Sequence, residues 1–99
     1  MKLHFVWIGK TRERHCAALV NDYLARLKRF AQFEVSELKE QSSETALRVI
    51  ALEGGKLLDA VEKDEIVVLL DERGIEKTST ELAEFIRAQQ QRGVKRLAF

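Results

Sequence analysis

Ile66-Val67-Val68-Leu69-Leu70, running directly into Asp71-Glu72-Arg73-Gly74, is the stretch from which the fold can be read. Five consecutive apolar residues, three of them β-branched, show no in–out alternation. Such a run is expected of a central parallel strand covered on both faces. The charged segment after it then lies at the strand's carboxyl end, where open α/β sheets place their ligands.

Working outward, each neighbouring segment supplies a helix or another strand. After the loop, Thr78 and Glu81 have capping-box spacing, and Leu82, Phe85 and Ile86 give the helix they open an inward face. Gly93 ends that helix, and Val94 to Phe99 reads as a further strand. Before the central run, Ser42 and Ser43 are candidate caps for a helix whose Ala46, Val49, Ile50, Leu57, Leu58 and Val61 share one face. Gly54 and Gly55 interrupt it, and a glycine pair costing about 1 kcal/mol each relative to alanine points either to a close backbone approach or to a kink. Phe33, Val35 and Leu38 alternate imperfectly with Glu34, Ser36 and Glu37, as in a strand near a sheet edge. Cys16, Val20, Tyr23, Leu27 and Phe30, widened by Leu19 and Leu24, recur at helical steps behind a possible N-cap at Thr11. Leu3 to Ile8 is a compact strand closed by Gly9. The order βαβαβαβ with short loops implies an α/β fold with a mostly parallel sheet, right-handed crossovers and a three-layer α/β/α arrangement. No repeat, proline or linker divides it, so residues 1–99 are expected to form one domain.

Composition narrows the function less than the pattern does. Hydrophobic residues at 45% and charged residues at 33% are an ordinary globular balance. A net charge of +1 does not by itself indicate nucleic-acid binding. The distribution is uneven, however: residues 1–50 hold nine Lys and Arg against six acids, and residues 51–99 hold eight against ten. A single cysteine, Cys16, excludes an intrachain disulfide and suggests a reducing compartment. No signal-peptide pattern and no apolar run near the roughly 20 residues of a membrane helix is seen, so a cytoplasmic location is expected and no membrane association.

Met1-Lys2-Leu3 to Gly9-Lys10, the helix with Tyr23 and Arg26-Leu27, Glu53-Gly54, and Ile66 to Asp71 with Gly74 and Thr78-Ser79 together resemble the ribosomal RNA large subunit methyltransferase H family. The resemblance spans essentially the whole chain and rests on the order and spacing of these segments. It implies a SPOUT-type, trefoil-knotted fold, a homodimer, and S-adenosylmethionine-dependent methylation of a pseudouridine ring nitrogen in ribosomal RNA. In that family a glycine-rich loop, a knotted segment and a final helix follow the strand matching Lys95 to Phe99. The expectation is therefore the amino-terminal part of the fold with the knot missing, inactive by itself. A noncatalytic RNA-contacting or protein-interaction remnant is the alternative. Gly55 departs from the family's more usual single glycine.

By the resemblance, cofactor contact is confined to Leu70, Asp71 and Gly74. Leu70 either lines an adenine pocket or is a core leucine. Asp71 either accepts a ligand hydrogen bond or ends its strand against the following turn, and Gly74 is read as a turn glycine needing positive φ. Lys10, Arg12 and Arg14, with His15 beside them, either contact RNA phosphates or are solvated charge. His4 and His15 lack partners at metal-ligand spacing, so no metal is assigned. Cys16 is read as a core residue and Trp7 as packing. No nucleophile–base pair, phosphate loop or zinc pattern can be assembled, and the catalytic residues are unknown. Methyl transfer to a ring nitrogen chiefly demands that donor and acceptor be held in line.

Overall fold

A computed structural model describes all of residues 1–99. The elements follow in the order β1 (Lys2–Ile8), α1 (Arg14–Leu27), β2 (Gln32–Leu38), α2 (Ala46–Ala60), β3 (Ile66–Val67), α3 (Ser79–Gln91) and β4 (Arg96–Ala98). Every strand pair is parallel, and the spatial order is β2-β1-β4-β3. The α/β alternation and parallel sheet expected from the sequence are what the chain forms. The chain steps one way across the sheet from β1 to β2 and from β3 to β4, and the other way from β2 to β3. Right-handed crossovers therefore put α1 and α3 on one face and α2 on the other.

Register explains which side chains meet. Lys2 to Ile8 pairs residue for residue with Gln32 to Leu38, and Lys2 to His4 with Arg96 to Ala98. Leu3, Phe5 and Trp7 consequently share a face with Phe33, Val35 and Leu97, while His4 and Val6 share the other with Glu34, Ser36, Arg96 and Ala98. On the first face Phe5 meets Phe33 edge-on at 6.2 Å and stacks on Phe99 at 5.8 Å. Leu3, Leu97 and Ala98 are the buried apolar residues. So small a core makes the polar residues buried beside it, His4, Glu65 and Gln89, matter more to stability.

The Ile66–Leu70 run differs from its sequence reading. β3 is two residues long and forms a sheet edge instead of a centre. Its pairing lasts only as long as β4: the Val68 N–H donates to the Ala98 carbonyl at 2.8 Å, and beyond it Leu69 and Leu70 are 77% and 76% exposed. β2, by contrast, is the other edge, as its imperfect alternation suggested.

In α1 the sheet-facing residues are Ala17, Val20, Leu24 and Leu27. Cys16 is exposed and not core, and Leu19, Tyr23 and Phe30 also face outward. The helix carries two neighbouring apolar stripes about one residue apart, and only one of them meets the sheet. The Thr11 cap is replaced by Glu13, whose carboxylate accepts from the His15 and Cys16 N–H groups at 3.1 and 2.7 Å. Those backbone donors, His15 first, lower its pKa below the ordinary value. In α2 the cap is Thr45 instead of Ser42 or Ser43, its hydroxyl accepting from the Arg48 N–H at 3.2 Å. Gly54 and Gly55 lie inside an uninterrupted helix with nothing within 4 Å of where a Cβ would sit, so no close backbone approach requires them. The Thr78–Glu81 capping box forms with both reciprocal bonds. Gly93 closes α3 at φ +81. Gly74 does not have the positive φ expected of it; its constraint is the Asp71 carbonyl, which accepts from the Gly74 N–H at 2.9 Å and would lie 3.0 Å from an added Cβ.

Candidate functional site

Parallel strands put the loop after β1 and the loop after β3 at the same end of the sheet. The first loop begins at Gly9, which takes φ +76 and donates its N–H to the Leu38 carbonyl at 2.6 Å. That bond ties the end of β1 to the end of β2. A cleft of about 460 Å³ lies between them, with Lys10, Arg12 and Lys39 among its walls together with Glu37 and Glu40. Arg12 Nη2 meets Glu40 Oε1 at 3.1 Å, and both side chains are largely in water. Lys10 and Arg14 are exposed at the same end. Arg14 opens α1, immediately after the Glu13 cap, so the helix's first free N–H groups already face a carboxylate.

The second loop surrounds Leu70, Asp71 and Gly74. A cleft of about 610 Å³ there is walled by Val68, Leu69, Leu70, Ile75 and Phe85, with Asp71 and Gly74 at its margin. Asp71 is engaged with its own turn: Oδ2 accepts from Arg73 Nη2 at 2.8 Å, and Oδ1 from the Arg73 N–H at 3.0 Å and Nε at 3.3 Å. The Arg73 side chain, followed by its backbone N–H, lowers the Asp71 pKa, and Asp71 in turn raises that of Arg73. Leu70 is not a core leucine but a solvent-facing wall. The two loops share an end of the sheet without sharing a cleft.

Between them lies a more apolar cleft of about 640 Å³. Phe5, Val6 and Trp7 from β1, Leu57, Leu58 and Val61 from α2, the run Val67 to Leu70, and Phe99 line it, and Gly54 leaves its helical wall flat. Trp7 is held at the margin by a bond from Nε1 to Glu37 Oε2 at 3.3 Å.

At the opposite, amino-terminal end of the strands is a polar cluster that no local motif announces. His4 is 1% exposed; its Nδ1 lies 3.0 Å from Glu65 Oε1 and its Nε2 lies 2.7 Å from Ser36 Oγ. Arg96 donates through Nε to Glu65 Oε1 and through Nη2 to Glu34 Oε1 at 2.7 Å. The Glu62 N–H donates to Glu65 Oε2 at 3.1 Å, and Lys2 pairs with Glu34 at 3.0 Å. Arg96, then Lys2, holds the Glu34 carboxyl down at about 2. Burial pushes Glu65 upward, but Arg96, the Glu62 N–H and His4 outweigh it and leave its pKa below the ordinary value. Glu34 and then Glu65 raise the pKa of Arg96. All buried side-chain polar atoms are hydrogen-bonded. The four principal residues come from positions 4, 34, 65 and 96, so only their shared strand parity could have signalled the cluster in advance.

A family profile described as predicted SPOUT methyltransferase matches residues 1–99. The chain belongs to the SPOUT methyltransferase family. Among relatives of this SPOUT chain, the ribosomal RNA large subunit methyltransferase H of Geotalea uraniireducens is 35% identical over 99 residues, covering all of this chain and 65% of its own length. The protein of the same name from Bacteroides thetaiotaomicron is 35% identical over 102 residues, with the same coverage. That of Geobacter metallireducens is 37% identical over 86 residues, covering 87% of this chain and 56% of its own. The chain thus spans about 65% of the length of the first of these relatives. No helix is long and apolar enough to cross a membrane.

Proposed function

We propose that this SPOUT chain serves S-adenosylmethionine-dependent methylation of a pseudouridine ring nitrogen in large-subunit ribosomal RNA, acting in the cytoplasm as part of a homodimer. The observation that carries the reading is the alignment of the whole of this chain with 65% of the length of proteins named ribosomal RNA large subunit methyltransferase H, at 35% identity. In this reading the loop after β3 is the cofactor side and the loop after β1 the RNA side.

The residues after β3 fit one wall of a cofactor pocket. Leu70 and its apolar neighbours suit a flat heteroaromatic ring, Asp71 offers a carboxylate to a hydroxyl or a cationic centre, and Gly74 keeps the turn low beside them. When bound, S-adenosylmethionine supplies an electrophilic methyl group. The chain's own residues would orient it: Arg73 donates to both Asp71 carboxylate oxygens, which lowers the Asp71 pKa and holds the carboxylate in place. Lys10, Arg12 and Arg14 supply sequence-independent phosphate contacts at the same end of the sheet, which positions RNA without reading bases.

A methyl-transfer assay with tritium-labelled S-adenosylmethionine and undermethylated large ribosomal subunits tests the activity. Calorimetry with S-adenosylmethionine tests the cofactor wall: saturable one-site binding, weakened by Asp71→Ala, is expected. The exposure of Leu69, Leu70 and Ile75 favours a second reading, a noncatalytic module that pairs through this face. Absence of both cofactor binding and methyl transfer, with RNA binding intact, would favour that module.

A further inference from the structure

The cleft between the ends of β1 and β2 holds two carboxylates among its basic groups: Glu37 is engaged by Trp7 Nε1, and Glu40 is placed by the backbone. The Gly9 N–H to Leu38 carbonyl bond brings the residues after β2 across the β1 turn. Gly9 then leaves the space that Glu40 fills: a Cβ at position 9 would run into the Glu40 carboxyl group. From that seat Glu40 Oε1 accepts from Arg12 Nη2 at 3.1 Å. Lys10 and Lys39 border the same cleft. A carboxylate on a guanidinium uses the same donors a phosphate oxygen would use.

We propose that Glu40 is an intramolecular stand-in for phosphate, holding Arg12 until the phosphodiester backbone of RNA displaces it; this rests on the reading of Lys10, Arg12 and Arg14 as RNA-facing groups. The magnitude suits a latch that opens. Arg12 and Glu40 side chains are 79% and 50% exposed, and exposed pairs of this kind are weak enough for an incoming polyanion to replace. The consequence is selectivity. A single inorganic phosphate competes poorly with a covalently tethered carboxylate, whereas an RNA held at several phosphates at once displaces it.

The test is fluorescence anisotropy of the 99-residue chain with a fluorescein-labelled RNA stem-loop. Glu40→Gln is expected to tighten binding by about two- to fivefold, the range of an exposed ion pair. Glu44→Gln removes an exposed charge four residues further along the chain and is expected to do less. In an Arg12→Ala background, Glu40→Gln is expected to lose its advantage over Glu44→Gln. Equal effects of the two glutamine variants, or an undiminished Glu40→Gln gain without Arg12, overturn the latch and show only a general charge effect. Lys10→Ala with Arg14→Ala separately tests the RNA-facing reading. If that pair leaves affinity unchanged while Arg12→Ala also has no effect, the reading and the latch fall together. If the pair weakens binding but Glu40→Gln does nothing, the latch alone falls.

Discussion

Arg96→Met is the substitution that most directly measures what holds this small sheet together. Methionine keeps much of the aliphatic stem and removes the guanidinium that donates to both Glu65 and Glu34. The Glu65 side chain has no exposed surface, so its carboxylate would keep only His4 and the Glu62 N–H as partners. Removing one side of a buried ion pair costs roughly 3–5 kcal/mol, because the other charge stays behind without compensation. Glu34 is 38% exposed and can rehydrate, which argues for the low end, about 3 kcal/mol. In a domain of this size 1 kcal/mol moves the melting temperature by about 4–8 °C, so the expected fall is about 12–24 °C. Thermal unfolding followed by far-ultraviolet circular dichroism reads it. Glu65→Gln, which keeps an acceptor but not the charge, is expected to cost less. The double variant should cost less than the sum, since the two residues act on one interaction. A fall below about 4 °C for Arg96→Met, or strict additivity, would refute the view that the cluster is a buried, coupled network.

The same cluster sets an acid limit. Glu34 is held at about 2 against an ordinary value of 4.5, and Glu65 also lies below that value. A depressed folded-state pKa gives stability that is full above the unfolded value and lost as pH falls through the folded one. The urea midpoint should therefore decline between about pH 4.5 and 2, and Arg96→Met should flatten that decline. The glycines separate two reasons for having no side chain. Gly54→Ala, in open space inside α2, should stabilise by about 0.5–1 kcal/mol and narrow the apolar cleft it lines. Gly93→Ala also meets no atom within 4 Å, yet at φ +81 it should destabilise by about 1 kcal/mol. Chemical denaturation of both variants checks the opposite signs.

Periodicity made the six longer elements legible, because each buries a face and burial imposes a period of 2 or 3.6. It could not choose between stripes. Cys16 and Tyr23 in α1, with Phe30 in the turn beyond it, fall on a helical line as good as that of Ala17, Val20, Leu24 and Leu27, and only the position of the sheet separates the two. Nor could an apolar run reveal its neighbours. Ile66 to Leu70 reads as a strand between helices, yet it lies outside β4 with half its length unpaired. Caps were legible where a reciprocal pair marked them, at Thr78 and Glu81, and illegible where several polar residues competed, at Thr11 against Glu13 and at Ser42 and Ser43 against Thr45. Parallel strands bring the loop residues to one end of the sheet, but the strand order that gives them separate clefts is not written in any local pattern. The His4 cluster was hidden for the same reason, since its members are joined by topology alone.

That cluster also accounts for how so few buried apolar residues can specify one register. His4 on β1 reaches Ser36 on β2, and Arg96 on β4 reaches past β1 to Glu34 on β2 and across to Glu65 at the entry of β3. A slip of one residue between β4 and β1 would carry Arg96 to the other face, away from both carboxylates, and would leave Glu65 buried beside an apolar residue. Hydrophobic contacts penalise such a slip as well, because it carries Leu97 and Phe99 off the face they share with Leu3 and Phe5. The ionic contacts penalise it strongly. This discrimination sits at the amino ends of the strands, at the opposite end of the sheet from the Gly9 and Asp71 loops.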